Sequence, residues 1–173
     1  MRRVRYRVAA SLDGYIAGPD GEIDWISPDP SVDFAAVYEG FDSVLLGRRT
    51  YELTQQPGAP PWPVGWRVIV FSRTLSTVAP PAVLATNVDA TVAELRQRPG
   101  RDIWLFGGSS LCASMLTARL VDRLEVAVMP VVLGGGVHLI AGDAPRTRLT
   151  LLRSSASANG IVHLEYDVER AGG

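Results

Sequence analysis

Short, β-branched apolar runs ending in glycine or serine alternate along this chain with segments of helical periodicity. "VRYRVAA" (4–10) alternates and predicts a strand. "SVDFAAVYEGF" (31–41) reads as a helix with Ser31 as its N-cap. "DSVLLG" (42–47) is a short buried strand, and "RRTYELTQQ" (48–56) opens a second helix. "WRVIVFS" (66–72) is a strand and "AVLATN" (82–87) a weaker one. "DATVAELRQR" (89–98) is a helix capped by Asp89 and closed by Pro99 and Gly100. "DIWLFGG" (102–108) is a buried strand running directly into the helix "SSLCASMLTARLV" (109–121). "DRLEVAVMPVVLGGG" (122–136) is a long strand holding Pro130, where a bulge or an edge is expected. "RLTLLRSSASANGIVHLEYDVE" (148–169) reads as two antiparallel strands joined at Asn159-Gly160. Such alternation predicts an α/β fold of three layers, with a mixed, mainly parallel sheet that ends in a C-terminal antiparallel hairpin. One domain over 1–173 accommodates it, with the Pro-rich stretch 57–66 as a loop.

What the chain lacks narrows its chemistry. All 17 basic residues are Arg, so a P-loop lysine, a Schiff-base lysine and covalent pyridoxal phosphate are excluded. A single Cys, Cys112, excludes an internal disulfide and a cysteine-rich zinc site. The two His, His138 and His163, fall in different elements, and no metal site is expected. A net charge of -1 gives no general pull towards nucleic acid or anionic membrane. No apolar run approaches membrane-spanning length, and the short apolar stretch after the basic start argues against a secretory leader. The expectation is a cytoplasmic protein, and, if it is an enzyme, one whose hard chemistry is carried by a diffusible organic cofactor.

Open parallel sheets bind ligands at the carboxyl ends of their strands. Four strand ends here carry unusual residues. The first runs into "SLDGYIAGPDGEIDW" (11–25), rich in glycine and acid. The others end in "LLGRRTYE", "VFSRTL" and "LFGGSSL". In the last, Gly107 and Gly108 allow close approach to the backbone, and a helix N-terminus offers free N–H groups to phosphate. Ser109 and Ser110 add hydroxyl donors. A serine-capped tight turn is equally compatible with that stretch alone. The absent Gly-x-Gly-x-x-Gly pattern disfavours a standard Rossmann site. Arg48, Arg49 and Arg73 suit bidentate phosphate recognition. Together these ends point to a ligand with several phosphates, such as a 2'-phosphorylated dinucleotide.

"VAASLDGYIAG", "LLGRRTYE", "IWLFGGSSL" and "LVDRLEVAVMPVVLGGG", in this order and spacing, resemble the dihydrofolate reductase-like superfamily. The branch resembled is the reductase domain of riboflavin biosynthesis, and the likeness spans nearly the whole chain. It implies a dihydrofolate reductase-like fold and an NADPH-dependent reductase acting on a small, heterocyclic substrate. It implies that Ala9 meets the nicotinamide carboxamide and that Ile16 flanks the ring. It places Arg48 near the 2'-phosphate and Thr50 near the pyrophosphate, with Gly47 opening that motif. Ser72 and Arg73 fall at the 2'-phosphate. Gly107 and Gly108 fall at the pyrophosphate, followed by Ser109, Ser110 and Leu111, and a cis peptide is implied between the two glycines. The stretch 11–25 becomes the mobile loop over nicotinamide and substrate, with Trp25 anchoring its far end.

Departures limit the likeness. Asp29 and Asp33, after Trp25, are not at the spacing of the pteridine-binding carboxylate of dihydrofolate reductases. "VDRL" stands where the riboflavin branch often has "VDEL", and no separate ribose-phosphate site is legible. The proton donors read from the sequence are Asp33 and Asp13, with water as the alternative; Asp33 also suits a helix start. Cys112 reads as core, and Arg3, Arg5 and Arg7 as partners of solvent or carboxylates. "VVLGGGVHLI" reads as a phosphate cradle or a bulged turn. In the resembled branch it lies near a dimer contact, which implies a homodimer. A pteridine reductase and a non-catalytic NADP-binding protein remain as alternatives.

Overall fold

The computed structural model describes residues 1–142 and 144–169. In chain order its elements are β1 (Val4–Ser11), β2 (Tyr15–Ala17), α1 (Phe34–Glu39), β3 (Phe41–Gly47), α2 (Arg48–Thr54), β4 (Arg67–Phe71) and β5 (Ala82–Ala85). They continue with α3 (Val88–Gln97), β6 (Asp102–Gly107), α4 (Ser109–Thr117), β7 (Arg123–Met129), β8 (Val137–His138), β9 (Leu149–Ala156) and β10 (Val162–Val168). Eight strands form one sheet in the order β5-β4-β3-β6-β1-β7-β10-β9. All strands of this sheet point the same way except β10, which is antiparallel to both β7 and β9. The fold is the mixed, mainly parallel α/β architecture that the strand–helix alternation predicts.

Helices cover both faces at the centre of the sheet. Apolar residues on both faces of β3 and β4, such as Val44, Leu45, Leu46 and Val70, are fully buried, as strands covered on both sides require. On one face α3 and α4 bury Val92, Leu95, Cys112 and Met115 against Val4, Tyr6, Ile103 and Leu105. On the other, α1 and α2 cover Val44, Leu46, Val68 and Trp104. This second layer stops at β1. There the same face carries Arg5 and Arg7, because side chains alternate and Val4 and Tyr6 belong to the first core. Directly across the next strands, Arg7 pairs with Glu125, Glu125 with Glu165, and Glu165 with Arg153. One half of the sheet is thus floored by apolar residues under helices, and the other by charged residues with no helix above them among the described residues.

Several elements differ from expectation for identifiable reasons. The helix predicted from residue 31 begins at Phe34, because the Asp33 carboxylate, not Ser31, accepts the N–H groups of Ala35 and Ala36. The next but one begins at Val88, where Asn87 rather than Asp89 supplies the cap at 2.9 Å. The strand predicted through Pro130 stops at Met129. The chain then turns back, and β8 pairs with β2 in a small second sheet that no periodicity announces. Glycine makes this return possible. Gly136 has φ +134, and a Cβ there would lie 2.1 Å from the carbonyl oxygen of Ala17. The closing hairpin, Cys112 in the core and the pairing of Arg5 and Arg7 with a carboxylate agree with the sequence reading. Burial pushes the Cys112 thiol up to about 12, so it is protonated and inert. No helix among the described residues is long and apolar enough to cross a membrane.

Candidate active site

A cleft of about 2200 Å³ opens at the carboxyl ends of β1, β3, β4 and β6 and extends over the charged half of the sheet. The structure brings to it Ala9, Ile16, Gly47, Arg48, Thr50, Ser72, Arg73, Gly108, Ser109, Ser110 and Leu111. Gly107 is buried just behind this lining. Asp13 and Asp33 do not line it.

The end nearest β3, β4 and β6 suits phosphates. Gly47 caps α2 and Gly108 caps α4, and neither helix start carries a side-chain cap. The first-turn N–H groups of α4 therefore have no intrahelical partner, and the positive end of its dipole opens to the cleft. The Gly107–Gly108 peptide is cis, as the resemblance implies. A Cβ on Gly108 would sit 3.2 Å from Thr50 Oγ1, so a side chain there would crowd the space between the two helix starts. Around this cradle stand three arginines. Arg48 is bonded to Glu52 one turn on, at 2.9 Å, with both side chains nearly half exposed. Arg49 and Arg73 are exposed at the same mouth. The Ser72 hydroxyl accepts the N–H groups of Thr74 and Leu75, at 3.1 and 3.0 Å, and so shapes the turn that presents Arg73. Two uncapped helix starts, a glycine pair and flanking guanidinium groups are the donor set that a pyrophosphate and a further phosphate need. The residues present fit a 2'-phosphorylated dinucleotide.

The opposite end is walled by apolar and aromatic groups over a polar floor. Ile16, Ile23 and Ile26 come from the segment between β1 and α1, and Phe34 from the start of α1. Trp104 and Phe106 come from β6, and Trp62 of the Pro-rich loop packs edge-on against Phe106, with ring centroids 5.3 Å apart. Trp25 is half-buried, and its ring N–H donates to the Glu22 carbonyl, which ties the loop to itself. On the floor, Glu125 is buried between Arg5 and Arg7, at 2.5 and 2.7 Å. Burial disfavours its charge, but the two arginines outweigh burial and hold its pKa below the usual range.

The acids read from the sequence as proton donors have other work. Asp33 is exposed and its carboxylate caps α1. Asp13 accepts from the Ser11 hydroxyl at 2.7 Å and from the N–H groups of Leu133 and Gly134. These bonds lower it from the ordinary 3.8 to about 2. The glycine-rich turn after β7 therefore binds this chain's own carboxylate, which answers the phosphate-cradle reading. His138, on β8, stacks on Tyr15 with centroids 4.8 Å apart, a packing role.

Of the aspartates weighed from the sequence, Asp29, set aside on spacing, is the one that lines the cleft. It is 8% exposed. Its Oδ1 accepts from the backbone and hydroxyl of Ser31, at 2.9 and 2.6 Å. Its Oδ2 accepts from the Ser157 hydroxyl and lies 2.7 Å from Nε2 of His163. The bonds from Ser157, Ser31 and His163 hold its pKa well below the carboxylate range. The sequence reading places His163 only in a different element from His138 and gives it no role. A fold that brings residues 29 and 163 together was needed to see the pair; the one local signal was the rigid Pro28-Asp29-Pro30 setting.

The description "RibD C-terminal domain" belongs to the family model that matches residues 2–163, and the chain is a member of that family. It is 32% identical over 179 residues to the uncharacterized protein YyaP of Bacillus subtilis strain 168, covering 95% of this chain and 94% of that one. It is 26% identical to the riboflavin biosynthesis protein RibD of Corynebacterium ammoniagenes, over 83% of this chain but only 48% of RibD. Among solved structures, a protein of Shewanella sp. PV-4 proposed to act in riboflavin biosynthesis superposes with TM-score 0.84 at 25% identity, covering 98% of this chain and 100% of that one. The deaminase/5-amino-6-(5-phosphoribosylamino)uracil reductase of Thermotoga maritima gives 0.72 at 19%, over 96% and 56%. Dihydrofolate reductase of Enterococcus faecalis, solved with NADP(H), gives 0.73 at 18%, over 97% of each chain. The last two show the fold alone.

Proposed function

We propose that this chain is an NADPH-dependent reductase that adds hydride to a C=N or C=O bond of a small heterocyclic substrate. The observation that carries this reading is the convergence, in one cleft, of the residues that the resemblance assigns to cofactor binding. Gly47, Thr50, Gly108 and the start of α4 would hold the pyrophosphate, and Arg48, Arg49 and Arg73 the 2'-phosphate. Ala9 and Ile16 would frame the nicotinamide, placing the substrate over β7 and β10. NADPH supplies the hydride. The chain's part is to align the two rings, so that proximity lowers the barrier, and to close out water with the 18–34 segment. The family membership and the RibD relatives support 5-amino-6-(5-phosphoribosylamino)uracil as the first compound to test. A pteridine reductase is less well supported. The buried carboxylates of the cleft are Asp29, whose acceptor positions are filled by protein donors, and Glu125, which is held by Arg5 and Arg7. The same reading includes a homodimer, for which the open edge of β9 offers a surface.

The test is NADPH oxidation followed by absorbance with that compound. Turnover that disappears when NADH replaces NADPH supports the reading. NADPH binding without turnover of that compound, or of any imine or carbonyl in a panel, would leave a binding protein.

A further inference from the structure

Asp29 and His163 join the segment above the cleft to its floor. The floor position is fixed by register: His163 faces Ala127 on β7, and Ala127 faces Ala9 on β1. Two strand spacings put His163 about 10 Å from Ala9 along the sheet. A small ring stacked on a nicotinamide at Ala9 would span most of that distance. Both Asp29 and His163 line the cleft.

The hydrogen-bond pattern decides which nitrogen carries a proton. Asp29 is ionised, since three donors besides the imidazole, the Ser31 N–H and the Ser31 and Ser157 hydroxyls, hold its carboxylate. An ionised carboxylate only accepts, so Nε2 of His163, 2.7 Å away, must donate. The other nitrogen, Nδ1, takes no bond from the described residues and is the one left for a ligand. The side chain is 27% exposed, so the ring is reachable. The other charged groups near it on the floor are Glu165 on its own strand, Glu125 on β7 and Arg153 on β9. Glu125 is held by Arg5 and Arg7, and Glu165 by Arg123. None of these floor groups is bonded to His163, whose one charged partner among the described residues is Asp29.

We propose that His163, oriented by Asp29, gives the substrate its proton during reduction. This rests on the reductase reading above. The acting form is the imidazolium, protonated on both nitrogens: the double bond gains the hydride of NADPH on carbon and the Nδ1 proton on nitrogen or oxygen, its π bond breaks, NADPH is oxidised to NADP+, and the neutral Nε2–H imidazole that remains takes up a proton from solvent. Asp29 is a positioning residue. It stays ionised and holds the ring with Nδ1 turned away from itself, while Ser31 and Ser157 hold Asp29.

Two measurements test this. The first needs no cofactor: nitrogen NMR of the two histidines, assigned with His138→Gln. Neutral His163 is expected as the Nε2–H tautomer in the wild type, with that preference lost in Asp29→Asn. An Nδ1–H tautomer in the wild type, or no change in the variant, overturns the assignment. The second is kinetic, with NADPH and 5-amino-6-(5-phosphoribosylamino)uracil. His163→Gln is expected to lower kcat about a hundredfold, as loss of a general acid does, with the Kd for NADPH within about twofold of wild type. Equal kcat in the two proteins overturns the role of His163 and leaves the reductase reading standing. A wild type without turnover on that compound or on the panel overturns both.

Discussion

Arg48 and Glu52 share a bond at the mouth where a 2'-phosphate would sit, whereas Arg73 stands on a turn shaped by Ser72. An exposed i,i+4 pair is worth less than about 1 kcal/mol, so Arg48 can exchange Glu52 for a phosphate at little cost. Glu52→Gln should therefore tighten NADPH by about two- to fivefold and leave NADH unchanged, read by fluorescence titration. No tightening would show that Arg48 does not reach the phosphate. Asp13 gives a pH signature. Its pKa is lowered to about 2 in the folded chain, so its contribution to stability is complete above the ordinary 3.8 and is lost as pH falls towards 2. Asp13→Asn should remove that part of the acid sensitivity, measured as the change in urea midpoint between pH 5 and pH 2.5. At this scale the arginines and glycines that line the cleft were legible, because strand ends expose them. Asp33 was legible as a helix start, because its partners are its neighbours Ala35 and Ala36. Asp13 and Asp29 were not, because partners far along the chain, Leu133 and Gly134 for one and Ser157 and His163 for the other, separate a loop clamp from a cleft carboxylate.

Between elements, the two small connections around the cleft are the most constrained. Gly136 lets β8 lie beside β2, whereas a Cβ on Gly135 would meet open space. Gly136→Ala should cost about 2–4 kcal/mol, from positive-φ strain and a backbone clash. Gly135→Ala should stay within about 0.5 kcal/mol of wild type. Urea unfolding of the pair checks this, and similar losses at both sites would contradict the geometry. Ser157→Ala should loosen the tie between the Asp29 segment and the β9–β10 turn, seen as faster hydrogen exchange over residues 26–33 with the central strands unchanged. The long elements were legible because burial on both faces imposes apolar runs and a helix start needs a cap. The β2–β8 pair was not, since strands of three and two residues carry no period and exist only through Gly136.

At the scale of the molecule, the sheet has one covered half and one open half, and the cleft spans the boundary. Strand alternation predicts the covered half. The open half was hidden because Arg5, Arg7, Glu125 and Glu165 look like any solvated charges until register sets them side by side. Its outer edge, β9, has all eight residues exposed, among them Leu149, Leu151 and Leu152. Exposed apolar edges pair with another chain. If that partner is a second copy, light scattering should report a dimer in solution and a monomer for Leu151→Glu; a monomeric wild type would remove the homodimer from the reading. The cofactor assignment is tested most directly by the dissociation constants of NADPH and NADH for the wild type and for Arg48→Ala/Arg73→Ala. Charge-assisted bonds to the extra phosphate predict at least tenfold tighter NADPH in the wild type and near-equal affinities in the variant. NADH bound as tightly as NADPH by the wild type would contradict it.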